Sequence, residues 1–236
     1  MNLTTSGSVA RRAAIAVALS AMCVSVGLAV SADQTTTRGG TQSYDLAALL
    51  KAGKLRAVNR EATPQAERAG AVRLDERAGN GVLWVDGTDF AEGTVELDVR
   101  GRDVLQQSFL GVAFHRTSDE AYEVVYLRPF NFRATDPARH QHAVQYASVP
   151  DFDWPRLRQE FPEEFENPVD AAVEPTGWVP LKVVVTPKSV QIYVGTGSAM
   201  ALEVRKLGSA SRGMIGLWVG NGSNGDFANL RVTPAK

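Results

Sequence analysis

Apolar and polar residues alternate over residues 178–185, 190–194 and 213–219, and each run is bounded by glycine or proline. A period of two sends successive side chains to opposite faces, so these runs predict short antiparallel strands with one buried face. Runs of the same kind predict strands at 71–75, Gly81–Val85, Gly93–Arg100, 108–115, 122–128 and 143–148. Others follow at 181–186, 190–195, 201–204, Met214–Val219 and 228–232. Roughly ten short strands separated by turn residues predict an all-β fold, a two-sheet antiparallel jelly-roll sandwich rather than a barrel.

Two segments depart from this rhythm. Residues 44–54 predict a short N-terminal helix, with Asp45 as N-cap and Gly53 as stop. Residues 150–180 form a long aromatic and acidic loop that sets Phe152, Trp154, Phe161, Phe165 and Trp178 among Asp151, Asp153, Glu160, Glu163, Glu164 and Glu166. A connection of this length is usually functional or holds a small helix, here expected at 155–166 with proline at its start. Its aromatic rings either cover a sheet edge or wall a ligand.

Composition adds the setting. Arg11 and Arg12 precede an uncharged apolar run over 13–28 and the small residues Val30-Ser31-Ala32, so residues 1–32 are expected to be a signal peptide. Residues 33–43 read as a flexible linker and 44–236 as the jelly-roll domain. The protein is thus expected to be exported, periplasmic or extracellular, with no membrane span. Cys23 is the one cysteine and falls inside the signal, so the exported domain must rest on core packing without disulfides. Without Arg11 and Arg12, 23 of the 25 basic residues face 26 acidic ones, a formal charge of −3 with no basic tract. That balance argues against nucleic acid as a partner.

The order of strand signatures carries a resemblance. Phe90-Ala91-Glu92-Gly93-Thr94-Val95-Glu96-Leu97, Phe109-Leu110-Gly111-Val112-Ala113-Phe114-His115, Tyr122-Glu123-Val124-Val125-Tyr126-Leu127-Arg128, Trp178 and the ending from Gly213-Met214-Ile215-Gly216-Leu217-Trp218 to Phe227-Ala228-Asn229-Leu230 resemble the concanavalin A-like lectin/glucanase superfamily. Within it the chain is most similar to the 3-keto-disaccharide hydrolase domain family, with laminin G-like modules as the competitor. The resemblance implies carbohydrate recognition on the concave sheet. It also implies a role for Glu123, which stands where that family carries a glutamate after an aromatic residue and would serve as general acid or base, assisted by His115 or Arg128. Glu96-Leu97-Asp98-Val99-Arg100 imitates the alternating acids of family 16 glycoside hydrolases but ends in arginine, so it reads as a solvated strand face.

Candidate ligand-binding residues are Arg128, Asn131 and Arg133, where polar groups alternate with apolar ones beside a proline, and Gln145, Tyr146 and Trp154 near the aromatic loop. His140 and His142 have the spacing of a metal pair on a strand, but two ligands do not make a site, and no metal site is expected from them. Asp226, with neighbouring backbone oxygens, is the candidate for calcium, as some lectin-like relatives bind it. The leading reading is an exported domain that binds glycan or glycoside without cleaving it. The alternatives are a glycoside-processing enzyme built on Glu123 and a laminin G-like protein-interaction module.

Overall fold

The computed structural model describes residues 35–38 and 40–236. The expected signal peptide, with Cys23 inside it, lies outside the described residues. In chain order the first half contains β1 (Thr35–Arg38), β2 (Thr41–Tyr44), α1 (Leu46–Lys51), β3 (Leu55–Val58), β4 (Ala62–Pro64), β5 (Val72–Arg77), β6 (Gly81–Val85), β7 (Gly93–Arg100), β8 (Leu110–Arg116) and β9 (Tyr122–Leu127). The second half contains α2 (Pro137–Gln141), β10 (Val144–Val149), α3 (Trp154–Glu160), β11 (Glu166–Asn167), β12 (Val179–Val185), β13 (Ser189–Val194), β14 (Leu202–Arg205), β15 (Met214–Val219) and β16 (Ser223–Pro234).

Among the described residues these strands form two antiparallel sheets. One runs β1-β2-β16-β7-β12-β13-β14, with β5 also on β16 and β4 on β5; the other runs β11-β10-β9-β8-β15-β6-β3. Neighbours far apart in sequence, such as β7 between β16 and β12, give the jelly-roll sandwich that the sequence predicts. The expected linker is strand in part: Thr35–Arg38 pairs with Thr41–Tyr44, and β2 adds to β16 through Leu230 opposite Tyr44. Its threonines are β-branched and suit an edge hairpin. Asp45 caps α1 by accepting the Ala48 N–H at 2.9 Å, and Gly53 turns the chain away at φ 66°. The helix expected at 155–166 is shorter, because α3 ends at Glu160 and Phe161 leaves helical geometry at φ −139° to pack edge-on against Phe165.

The two sheets differ in how their faces are used. In β7 and β12 the buried residues Val95, Leu97, Val99, Leu181, Val183 and Val185 alternate with half-buried polar ones. Their outer face pairs Asp98 with Arg68 at 2.5 Å and Arg100 with Asp226 at 2.8 Å, so the strand face expected to be solvated is half-buried and ion-paired. In the opposite sheet β6 and β9 are buried at every position, and β8 is buried up to His115. A sheet buried on both faces loses the period-two signal. Its inner face packs in the common core, and its outer face is roofed by the 101–109 loop and by the segments around α2 and α3.

Candidate functional site

Strand register builds the floor of a cavity on that outer face. Trp218 of β15 pairs with Gly111 of β8, Gly111 with Tyr126 of β9, and Tyr126 with Gln145 of β10. A Cβ on Gly111 would stand 2.0 Å from the Val125 carbonyl oxygen, so only glycine lets the strands close here. The Trp218 and Tyr126 rings then meet across it, with centroids 4.9 Å apart. The Trp218 indole N–H donates to the Tyr122 hydroxyl at 3.0 Å, which locks a floor of three aromatic rings.

The resulting cavity has a volume of about 500 Å³. Phe109, Leu105, Phe130 and Trp154 add further apolar lining. Trp154 is 46% exposed, an uncommon state for so large an apolar ring. Asp153 holds it at the start of α3 by accepting the Trp154 N–H at 2.7 Å, and the Arg158 guanidinium lies over its ring at 5.1 Å.

Polar groups gather at one end. Arg128 is buried, stacked at 4.9 Å over Tyr126 and 5.7 Å over Phe109. It donates to the His142 carbonyl at 3.0 Å, to the Tyr126 hydroxyl at 3.0 Å and to Gln145 Oε1. Burial pulls its pKa down and pushes the Tyr126 hydroxyl up to about 12, so Tyr126 remains a neutral phenol that donates to Gln145 Oε1 at 2.8 Å. Gln145 thereby spends its carbonyl on two donors, and its Nε2 is buried without an acceptor among the described residues. Asn131 lines the same end and donates to the His142 carbonyl at 3.1 Å.

The predicted site residues divide by face. Arg128, Asn131 and Trp154 line the cavity, and Gln145 supports it from beneath. Tyr146, Glu123 and His115 do not: Tyr146 and Glu123 occupy the inward register positions of β10 and β9, opposite Val125 and Ser148. His115 turns inward at φ 53°, beside an irregularity in the β8–β15 pairing. Arg133 is also elsewhere, held by the Ala171 carbonyl at 2.9 Å and Glu174 at 3.0 Å.

Inside the sandwich Glu123 is fully bonded. Its Oε1 lies 2.8 Å from His115 Nδ1 and 3.0 Å from Lys206 Nζ, and its Oε2 accepts the Tyr146 hydroxyl. Burial alone would raise its pKa; the hydrogen bonds from His115, Tyr146 and Lys206 outweigh this and hold it below the usual carboxylate range. Burial and the adjacent carboxylate push the Tyr146 hydroxyl up. Such a network organises a core rather than meeting solute.

The residues weighed as metal ligands are otherwise engaged. Asp226 lies 3.1 Å from Arg73 Nη1 and 2.8 Å from Arg100 Nη2, and Gln65 adds a third donor at 3.2 Å, so two guanidiniums supply the countercharge a cation would bring. His140 and His142 belong to α2 and its C-cap instead of a strand, since Asp136 and Pro137 start a helix there. His140 Nε2 faces the Val169 carbonyl at 3.1 Å, and His142 lies near Glu166, with burial lowering its pKa.

No family model matches the chain, and no curated protein matches it in sequence. Solved structures do match. The carbohydrate-binding module CBM66 from Bacillus subtilis superposes with a TM-score of 0.53 at 14% identity, over 76% of this chain and 95% of that one. A Bacillus subtilis protein of unknown function with a galectin-like fold gives 0.55 at 12% identity, over 81% and 94%. The exoplasmic/lumenal domain of VIP36 in its Ca2+/Man3GlcNAc-bound form gives 0.50 at 13% identity, over 78% and 84%. The chain has the concanavalin A-like jelly-roll fold.

Several cavity residues were not foreseen. Phe109, Tyr126, Phe130, Arg139, Arg158 and Trp218 come from separate strands and loops, and only the strand register assembles them. The one available signal was Gly111 inside a strand pattern, a mark of close backbone approach.

Proposed function

We propose that this protein is an exported carbohydrate-binding domain that holds a glycan or glycoside in the aromatic-floored cavity without cleaving it. The observation that carries the reading is the combination of the Trp218–Tyr126–Tyr122 floor, the exposed Trp154 rim and a small polar end. Aromatic faces suit the C–H faces of sugars, and a few fixed polar groups orient the hydroxyls. Trp154 supplies the stacking face, Asn131 and Arg128 the polar end, and Gln145 fixes Arg128. The fold it shares with a carbohydrate-binding module agrees with this reading.

Hydrolysis as in the 3-keto-disaccharide hydrolases is the less favoured reading. Glycoside cleavage by the usual route needs two carboxyl groups flanking the bond. Among the described residues that line the cavity, Asp153 is the one carboxylate, and Glu123 faces the core. A laminin G-like interaction module would present a groove-free sheet instead. A glycan array probed with the purified protein tests the proposal: a defined set of bound glycans, lost with Trp154→Ala, supports it. Release of product from 3-keto-glycosides by the wild type would move the assignment to the enzyme reading.

A further inference from the structure

One end of the cavity is markedly basic. Arg128, Arg139 and Arg158 all line it. The carboxylate behind them is Glu166, 2% exposed, which receives Arg158 through Nε at 2.9 Å and Nη2 at 3.0 Å and lies 3.6 Å from Arg128 Nη1. Asp153, the cavity's own carboxylate, caps α3. Arg139 has no carboxylate partner among the described residues; its Nε donates to Asn131 Oδ1 at 3.3 Å and its Nη2 to the Phe130 carbonyl at 2.9 Å. Three guanidiniums thus share two carboxylates, one of them behind the wall.

The donors are unevenly spent. Arg128 gives three hydrogen bonds to protein acceptors through Nη1 and Nη2 and acts as a fixed charge. Arg139 and Arg158 each hold their place through Nε and Nη2, and the Nη1 of each donates no hydrogen bond to the described residues. A sugar hydroxyl asks for a donor and an acceptor together, whereas this end offers spare donors and positive charge beside low-dielectric aromatic walls. Guanidinium groups so arranged suit a planar carboxylate.

We propose that the cavity selects acidic saccharides, with a uronate carboxylate at Arg139 and Arg158 and the sugar ring against the aromatic wall. This rests on the carbohydrate reading and narrows it to a class. The test is calorimetric titration of the purified protein with oligogalacturonates and with neutral galacto-oligosaccharides of equal length, at low and at raised sodium chloride. The acidic series is expected to bind at least tenfold tighter at low salt, with the gap narrowing as salt rises. Arg139→Gln, at an exposed position, should reduce the preference at least threefold while the melting temperature stays unchanged. Equal or tighter binding of the neutral series overturns the inference and leaves the carbohydrate reading standing. Binding of neither series, together with an empty glycan array, removes both. Binding of acetate or benzoate as tight as that of the uronates would also overturn it, because the sugar would then contribute nothing.

Discussion

His115 Nδ1 lies 2.8 Å from Glu123 Oε1 in the interior of the sandwich, and His115 Nε2 faces the Ala91 carbonyl at 2.7 Å. Both ring nitrogens of His115 are thus engaged, one by a side chain of β9 and one by a backbone carbonyl. The pair therefore ties β8, β9 and the segment before β7 together, and Lys206 brings in the loop after β14. Replacing Glu123 by glutamine leaves Lys206 without its buried counterion and is expected to cost about 3 kcal/mol. Urea unfolding measures that loss. Ligand affinity, taken at a temperature where the variant is folded, should stay within about twofold of wild type.

Acid should act through the same carboxylate. Its folded-state pKa lies below the unfolded one, so its contribution is complete above about pH 5 and is lost as pH falls through the depressed folded value. The urea midpoint of the wild type is expected to drop across that window, and that of Glu123→Gln to drop less. Parallel profiles for the two proteins would show that the stabilising titration lies elsewhere.

Gly111 is the position where the floor tolerates no side chain. Valine there would drive into the β9 backbone and separate Trp218 from Tyr126, at an expected cost of at least about 3 kcal/mol. Thermal unfolding reads the stability. Near-ultraviolet circular dichroism reads the two rings, and an unchanged spectrum would contradict their packing across this glycine.

Asp226 is expected to respond to the loss of its arginines and not to chelation. Calcium or a chelator should leave the melting temperature unchanged, while Asp226→Asn lowers stability by about 2 kcal/mol, since Arg73 and Arg100 lose their shared, nearly buried counterion. A calcium-dependent rise in melting temperature that Asp226→Asn abolishes would restore a metal role.

The sequence showed the strands more clearly than it showed their faces. β12 alternates buried and half-buried residues, and its period was plain. Tyr122–Leu127 is buried throughout, so no polar position marks which side meets the core, and Glu123 was readable either way. The same holds for Tyr146 beside Gln145. Asn131 and Trp154 were legible because a polar group near a proline and a tryptophan within a long acidic loop are unusual. Lys206 gave no signal at all, since a lone lysine after a short strand looks like any surface residue. Its burial depends on where the β14–β15 loop enters the sandwich.

Trp154 and the cavity it borders, rather than Glu123, carry the proposed binding. Isothermal titration of one array-selected glycan against wild type, Trp154→Ala and Glu123→Gln tests it in one series. Trp154→Ala is expected to weaken binding by about 2 kcal/mol, roughly 30-fold in Kd, with little change in melting temperature, and folded Glu123→Gln to bind as the wild type does. Undiminished binding by Trp154→Ala together with loss in folded Glu123→Gln would contradict it and move the site to the interior network.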